Sequence, residues 1–138
     1  MANMTKDEIA AYLAEAHIAH LVTVRATGRP HVAPVWFLED NAKAYVMADA
    51  NAVKVRNIGR NPAVSLSIAT DQRPLKYVVL NGDAQLAEGE ITDMVERICV
   101  RYDGPVRGVE FAKELLAEDR MKLIEIHLTR VTGWKDED

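Results

Sequence analysis

The spacing of apolar residues changes period several times along the chain, and each change marks an element. Ile9, Leu13 and Ala16 recur at helical intervals, and Thr5 with Glu8 ahead of them is a capping-box signature. The spacing predicts an opening packing helix. From Ala19 the period becomes two, with Val22 and Val24 on one side of a strand over 20–25. The run Ala26-Thr27-Gly28-Arg29-Pro30 is a turn, a second strand covers 31–38, and Glu39-Asp40-Asn41 turns the chain into a third strand over 42–48. Short loops between successive strands predict an antiparallel meander.

Residues 49–60 read as a short helix, with Asp49 and Asn51 as candidate caps and Gly59 and Pro62 as its close. Strands are predicted over 63–69 and 76–86. Helices follow over 91–102, where Ile91, Val95, Ile98, Cys99 and Tyr102 form a stripe, and over 108–117, with Phe111, Ala112, Leu115 and Leu116. A last strand covers 121–131, and Trp134 precedes an acidic tail. This order predicts one mainly β domain over 1–138: a closed or nearly closed barrel of six antiparallel strands with peripheral helices. Closure would remove exposed strand edges.

Composition narrows the function classes. The 138 residues carry a net charge of −4, which argues against a generic nucleic-acid or anionic-membrane surface. Cys99 is the lone cysteine, so no intrachain disulfide forms and a cysteine-built metal site is not expected. The acidic N-terminal stretch lacks the apolar core of a signal peptide, and no apolar run approaches membrane-spanning length. A cytoplasmic protein is expected.

No Gly-rich phosphate loop and no nucleophile elbow is present. His17, His20, His31 and His127 show no metal-ligand spacing. Two segments stand out. In Ala52-Val53-Lys54-Val55-Arg56-Asn57, Lys54 falls near the start of a helix, where a lone cation opposes the helix dipole unless an anion binds there. Arg56 and Arg60 lie close by. The segment alone is equally compatible with a phosphate site and with a solvated basic helix. In Pro30-His31-Val32-Ala33-Pro34-Val35-Trp36-Phe37, Pro34 cannot donate to a ladder and belongs at an edge or bulge. Trp36 and Phe37 must face opposite ways, one into the core.

These segments, extended to Gly28–Phe37, Lys54–Pro62 and Tyr77-Val78-Val79-Leu80-Asn81-Gly82, resemble the pyridoxamine-phosphate-oxidase-like split-barrel family. The subgroup they resemble most is that of flavin- or deazaflavin-dependent oxidoreductases. The resemblance covers nearly the whole chain, and it implies a homodimer with FMN or the deazaflavin coenzyme F-420 bound between subunits. It implies that Lys54 and Arg56, with Val53 and Asn57, hold the cofactor phosphate. It implies that Val32, Ala33, Pro34, Val35 and Trp36 line the tricyclic ring, and that Met47, Ala48 and Asp49 lead into the phosphate helix. Tyr77 would sit near the ring's polar edge, and Trp134 would reach the partner subunit's cofactor.

The chain departs from classical pyridoxamine-phosphate oxidases. Val53 stands where their Arg-Lys pair has its arginine, and their C-terminal substrate-binding arginine motif has no match. Vitamin B6 oxidation is therefore not the expected reaction. The expected activity is reduction of a small planar or unsaturated substrate. The rival classes are a non-enzymatic flavin- or haem-binding protein on the same barrel, and a purely structural dimer. No motif marks a proton donor; Tyr77 and His31 are the candidates.

Overall fold

The elements run β1 (Ala2–Asn3), α1 (Lys6–Leu13), β2 (Ala19–Val24), β3 (Pro30–Val35), β4 (Leu38–Asp40), β5 (Lys43–Asp49), α2 (Val53–Arg60), β6 (Ala63–Ala69), β7 (Lys76–Leu86), α3 (Thr92–Asp103), α4 (Arg107–Ala117) and β8 (Met121–Lys135). The structure, a computed structural model, describes residues 2–137. One antiparallel sheet has the order β3-β2-β6-β7-β8-β5-β4, with β1 paired to the far end of β8.

The two ends of this path, β3 and β4, are consecutive in the chain, joined only through Trp36 and Phe37. Val35 and Leu38 can therefore lie no more than about 11 Å apart. The sheet must curl until its edges face each other across that link, yet no ladder closes it there. The result is the mainly β split barrel expected from the sequence.

Its strand count is corrected from six to eight among the described residues. One added strand is β1, a short pairing to Lys135 and Trp134 at the end of β8, which runs past the predicted limit of 131. The other arises because the predicted strand 31–38 is broken in two. Tyr102 is the cause. Its hydroxyl accepts from the Phe37 amide at 3.0 Å and donates to the His17 carbonyl at 2.7 Å. The Phe37 amide is thus satisfied by a side chain instead of a ladder partner. Tyr102→Phe leaves both backbone groups unpaired and is expected to cost about 1–3 kcal/mol. A lowered urea midpoint with unchanged slope is the signature; an unmoved midpoint would refute this account of the break.

Alternation fills the interior. Leu21, Leu66, Ile68, Leu80, Val46, Ile124 and Ile126 are buried from five different strands, and Phe37 joins them at 0% exposure. α1 begins with the predicted capping box between Thr5 and Glu8. Its C-terminal end is held by Arg101, whose guanidinium donates to the carbonyls of Leu13 at 2.7 Å and Glu15 at 2.6 Å. α3 and α4 pack closely because Gly108 has no side chain; a Cβ there would fall 2.5 Å from the Val100 Cα.

The helix expected over 49–60 starts later, at Val53, with no side-chain cap. Asp49 is still paired to Met121 at the end of β5, and its carboxylate accepts from the Asn51 amide at 2.8 Å. The ladder thus claims the residue that would have capped the helix. Among the described residues no helix is long and apolar enough to cross a membrane.

Candidate functional site

Pro34 lies on an edge strand, where a residue without an N–H is tolerated. Just past it, Phe37 turns into the core while Trp36 turns outward and remains half-buried. Trp36 stacks on Tyr102, ring centroids 4.6 Å apart and 2° from parallel. Phe111 of α4 meets its edge at 5.9 Å. The side chain is thereby held from two sides.

A cleft of about 350 Å³ opens beside it. One wall is Pro34, Val35 and Trp36; another is Met47, Ala48 and Asp49 at the end of β5. Phe111 and Leu115 of α4 and Met121 at the start of β8 complete the apolar lining, and Lys54 of α2 stands at its rim. The one carboxylate in the lining, Asp49, is paired with Arg120 at 2.8 Å. The amide of Asn51, followed by Arg120, holds its carboxyl below the usual range.

Lys54 joins this cleft to a second neighbourhood. His31 pairs directly with Thr23 across β2 and β3, so the two side chains share a face. Thr23 is buried there and accepts from the amide of Asn57 of α2 at 2.9 Å. His31 therefore lies on the face that α2 covers. Its Nδ1 is buried with no hydrogen-bond partner among the described residues. Burial holds its pKa below the ordinary histidine value, and the charges of Arg25 and Lys54 push it the same way.

Arg25, Arg29, Lys54, Arg56 and Arg60 have no carboxylate partner among the described residues, although the chain is acidic overall. The apolar cleft thus carries the uncompensated Lys54 in its lining, and the charges of Arg25 and Lys54 both act on His31. A phosphate-bearing planar molecule fits that donor set.

The sequence-predicted residues divide accordingly. Pro34, Val35, Trp36, Met47, Ala48, Asp49 and Lys54 come together at the cleft. Val32 and Ala33 lie further back on β3, Val32 being 55% exposed. Val53 opens α2. Arg56 donates to the Asn51 carbonyl at 2.7 Å, and Asn57, 1% exposed, spends both ends of its amide on Thr23 and Arg60. Tyr77 and Trp134 pair across β7 and β8 with ring centroids 6.3 Å apart, away from the cleft lining.

Phe111, Leu115 and Met121 also line the cleft; the sequence shows the first two only as a helical stripe and Met121 only as the start of the last strand. A helical stripe looks the same in sequence whether it meets a core or a ligand. In the sequence Arg25 is only the end of a strand before the turn. Another cavity, of about 400 Å³, lies between α1 and β8 and gathers none of the predicted residues.

Solved structures of similar fold bind different groups. The chain is 24% identical to an F420 reductase, with 88% of this chain and 93% of that one covered and a TM-score of 0.70. It is 22% identical to HutZ, the heme storage protein of Vibrio cholerae, with 94% of each chain covered and a TM-score of 0.75. To an FAD-binding protein of Mesorhizobium loti it is 19% identical, with 99% and 97% covered and a TM-score of 0.73. At these identities the likeness is one of fold. No curated protein matches the sequence. The family model for pyridoxamine 5'-phosphate oxidase matches residues 5–135, nearly the full length. The chain is a member of the pyridoxamine 5'-phosphate oxidase family.

Proposed function

We propose that this chain works as a homodimeric oxidoreductase that binds FMN or coenzyme F-420 and transfers hydride to a small planar or unsaturated substrate. One observation carries the reading. Lys54 lies at the rim of an apolar cleft, and its charge also reaches the orphaned His31 nitrogen beside Arg25. A ring in the slot and a phosphate at the basic end would use both halves.

A bound flavin or deazaflavin supplies the hydride chemistry itself. The chain's own residues supply position. Trp36, held by Tyr102 and Phe111, offers a fixed aromatic wall. Met47, Leu115 and Met121 exclude water around it. Lys54, with Arg25, supplies the positive charge that orients an anionic end.

The dimer part of the reading is supported by the outer face of the sheet. The register places Val32, Val22, Ser65 and Asn81 in one row across β3, β2, β6 and β7. Val32 is exposed, and an open groove runs past Val22, Ser65 and Asn81. A second copy seated there would cover this row.

The test is fluorescence titration of purified apo-protein with FMN and with coenzyme F-420. Saturable binding of one of them names the cofactor. Binding of neither by a verified dimer refutes the proposal. Binding without turnover, when a reductant and an acceptor are supplied, leaves a carrier protein and removes the enzymatic part.

A further inference from the structure

The cavity between α1 and β8 owes its position to an extra residue in β8. Asn81 pairs with Arg130 and Gly82 with Leu128, so Thr129 has no partner on β7. Its hydroxyl donates to the Asn81 carbonyl at 3.3 Å instead. An extra residue of this kind reverses the alternation of a strand. Before it, Ile124 and Ile126 are buried in the barrel interior, and Leu128 continues their side. After it, the interior side resumes at Val131, which pairs with the buried Leu80. Further along, α1 is pinned to β8. The Met4 amide donates to the Gly133 carbonyl at 2.9 Å, and a Cβ on Gly133 would fall 2.9 Å from an Ile9 side-chain carbon. Between this anchor and the bulge α1 leaves an opening of about 400 Å³. Val131, although on the interior side, stays 39% exposed there.

Ile9, Leu13, Leu128 and Val131 give the opening an apolar floor. Its edge carries charge of both signs. Glu39 pairs with the buried Ala44 across β4 and β5, so its side chain starts on the interior side. It is half-buried and lines the opening, as does Lys6 in the first turn of α1. Neither forms an ion pair with the other or with any other described residue. Arg130 borders the opening too, but its register with Asn81 turns it to the outer face. An interior-facing valine is thus left uncovered beside an unpaired carboxylate and an unpaired ammonium.

We propose that this opening binds a zwitterion with an apolar body, of the class of free hydrophobic amino acids. The body covers Leu128 and Val131, the ligand's ammonium donates to Glu39, and its carboxylate accepts from Lys6. The volume lies within the range of small-molecule pockets, about 300–1,000 Å³. A lone anion would meet Glu39 as a like charge, and a lone cation would meet Lys6, so each single-charge relative is disfavoured. No residue of the Trp36 cleft lines this opening, so the inference stands apart from the flavin reading.

The experiment titrates the full chain, carrying isotope-labelled methyl groups, with L-phenylalanine and follows the methyl signals by NMR. The ligand's ring shifts nearby methyls, so the place of binding is read directly. Phenylpropionate carries only the carboxylate, phenethylamine only the ammonium, and glycine both charges without the body. The expected result is a saturable shift at Leu128 and Val131, with Leu115 of the cleft unmoved. L-Phenylalanine should bind about tenfold or more tightly than either single-charge relative, the equivalent of one charge-assisted hydrogen bond. Glycine should leave the methyls where they were. Glu39→Gln should lower L-phenylalanine to the level of phenylpropionate, and Lys6→Ala to that of phenethylamine. Lys6 is exposed and Glu39→Gln is nearly isosteric, so both variants keep the fold. The absence of a saturable shift at Leu128 and Val131 overturns the proposal. Equal binding of phenylpropionate and L-phenylalanine by the parent chain overturns it as well, because Glu39 would then contribute nothing. A shift confined to Leu115 moves the ligand to the cleft and refutes this site.

Discussion

Replacing Lys54 with alanine is expected to weaken binding of the cofactor by about 10- to 150-fold, the equivalent of one charge-assisted hydrogen bond of roughly 1.5–3 kcal/mol. The reason is position. Lys54 has no carboxylate partner among the described residues, borders the apolar cleft, and projects its charge onto the His31 end. Its removal should reduce the salt dependence of binding as well, because part of the attraction is screened by ions. Arg56→Ala is the comparison. That guanidinium is exposed and already donates to the Asn51 carbonyl, so its loss should cost less affinity than the loss of Lys54. Folding should be little affected by Lys54→Ala, since no hydrogen bond or ion pair of Lys54 among the described residues is lost. Fluorescence titration of the two variants and the parent decides the matter. Equal affinity in Lys54→Ala and the parent would remove the phosphate anchor from the proposed function.

Gly82→Ala is expected to produce the largest loss of stability from a single added carbon, about 3 kcal/mol, at the upper end of overpacking costs. Gly82 lies inside β7 at the register shift against β8. A Cβ there would meet the His127 carbonyl oxygen at 2.3 Å and its carbon at 2.9 Å. These are backbone atoms of a paired strand, so they cannot swing aside as a side-chain tip would. Relief requires moving β7 and β8, which form the centre of the sheet. Against a typical total of about 5–15 kcal/mol, that loss is large. Gly59→Ala is the control. Nothing lies within 4 Å of its added Cβ, and it sits in α2. It should be neutral or stabilising by up to about 1 kcal/mol. Urea unfolding of both variants checks the pair; similar midpoints would show that the bulge has room to relax.

Both predictions separate what was legible in the sequence from what was not. Lys54 stood out because a cation at a helix start is a local anomaly, visible within a few residues. Gly82 did not, because the atom that forbids a side chain belongs to a strand forty-five positions away, at His127. The same contrast runs through the site. Pro34 announced its edge strand by lacking an N–H, and Trp36 and Phe37 announced opposite faces by adjacency. Phe111 and Leu115 announced only a helix.

The sequence by itself determined the element types, nearly all of their positions, the capping of α1 and the mainly β class. These depend on periodicity, capping and turn chemistry, which act over a few residues. Its resemblance to a family also pointed to the segments that meet at the cleft. The tertiary structure decided where the second strand breaks, because Tyr102 arrives from α3 to satisfy the Phe37 amide. It decided that α2 begins at Val53, because Asp49 is held in the ladder with Met121. It also decided that the charges of Arg25 and Lys54 act on His31 and that α4 forms a wall of the cleft. Each of these results from curling the sheet until distant segments face one another, and no local pattern encodes which faces will meet.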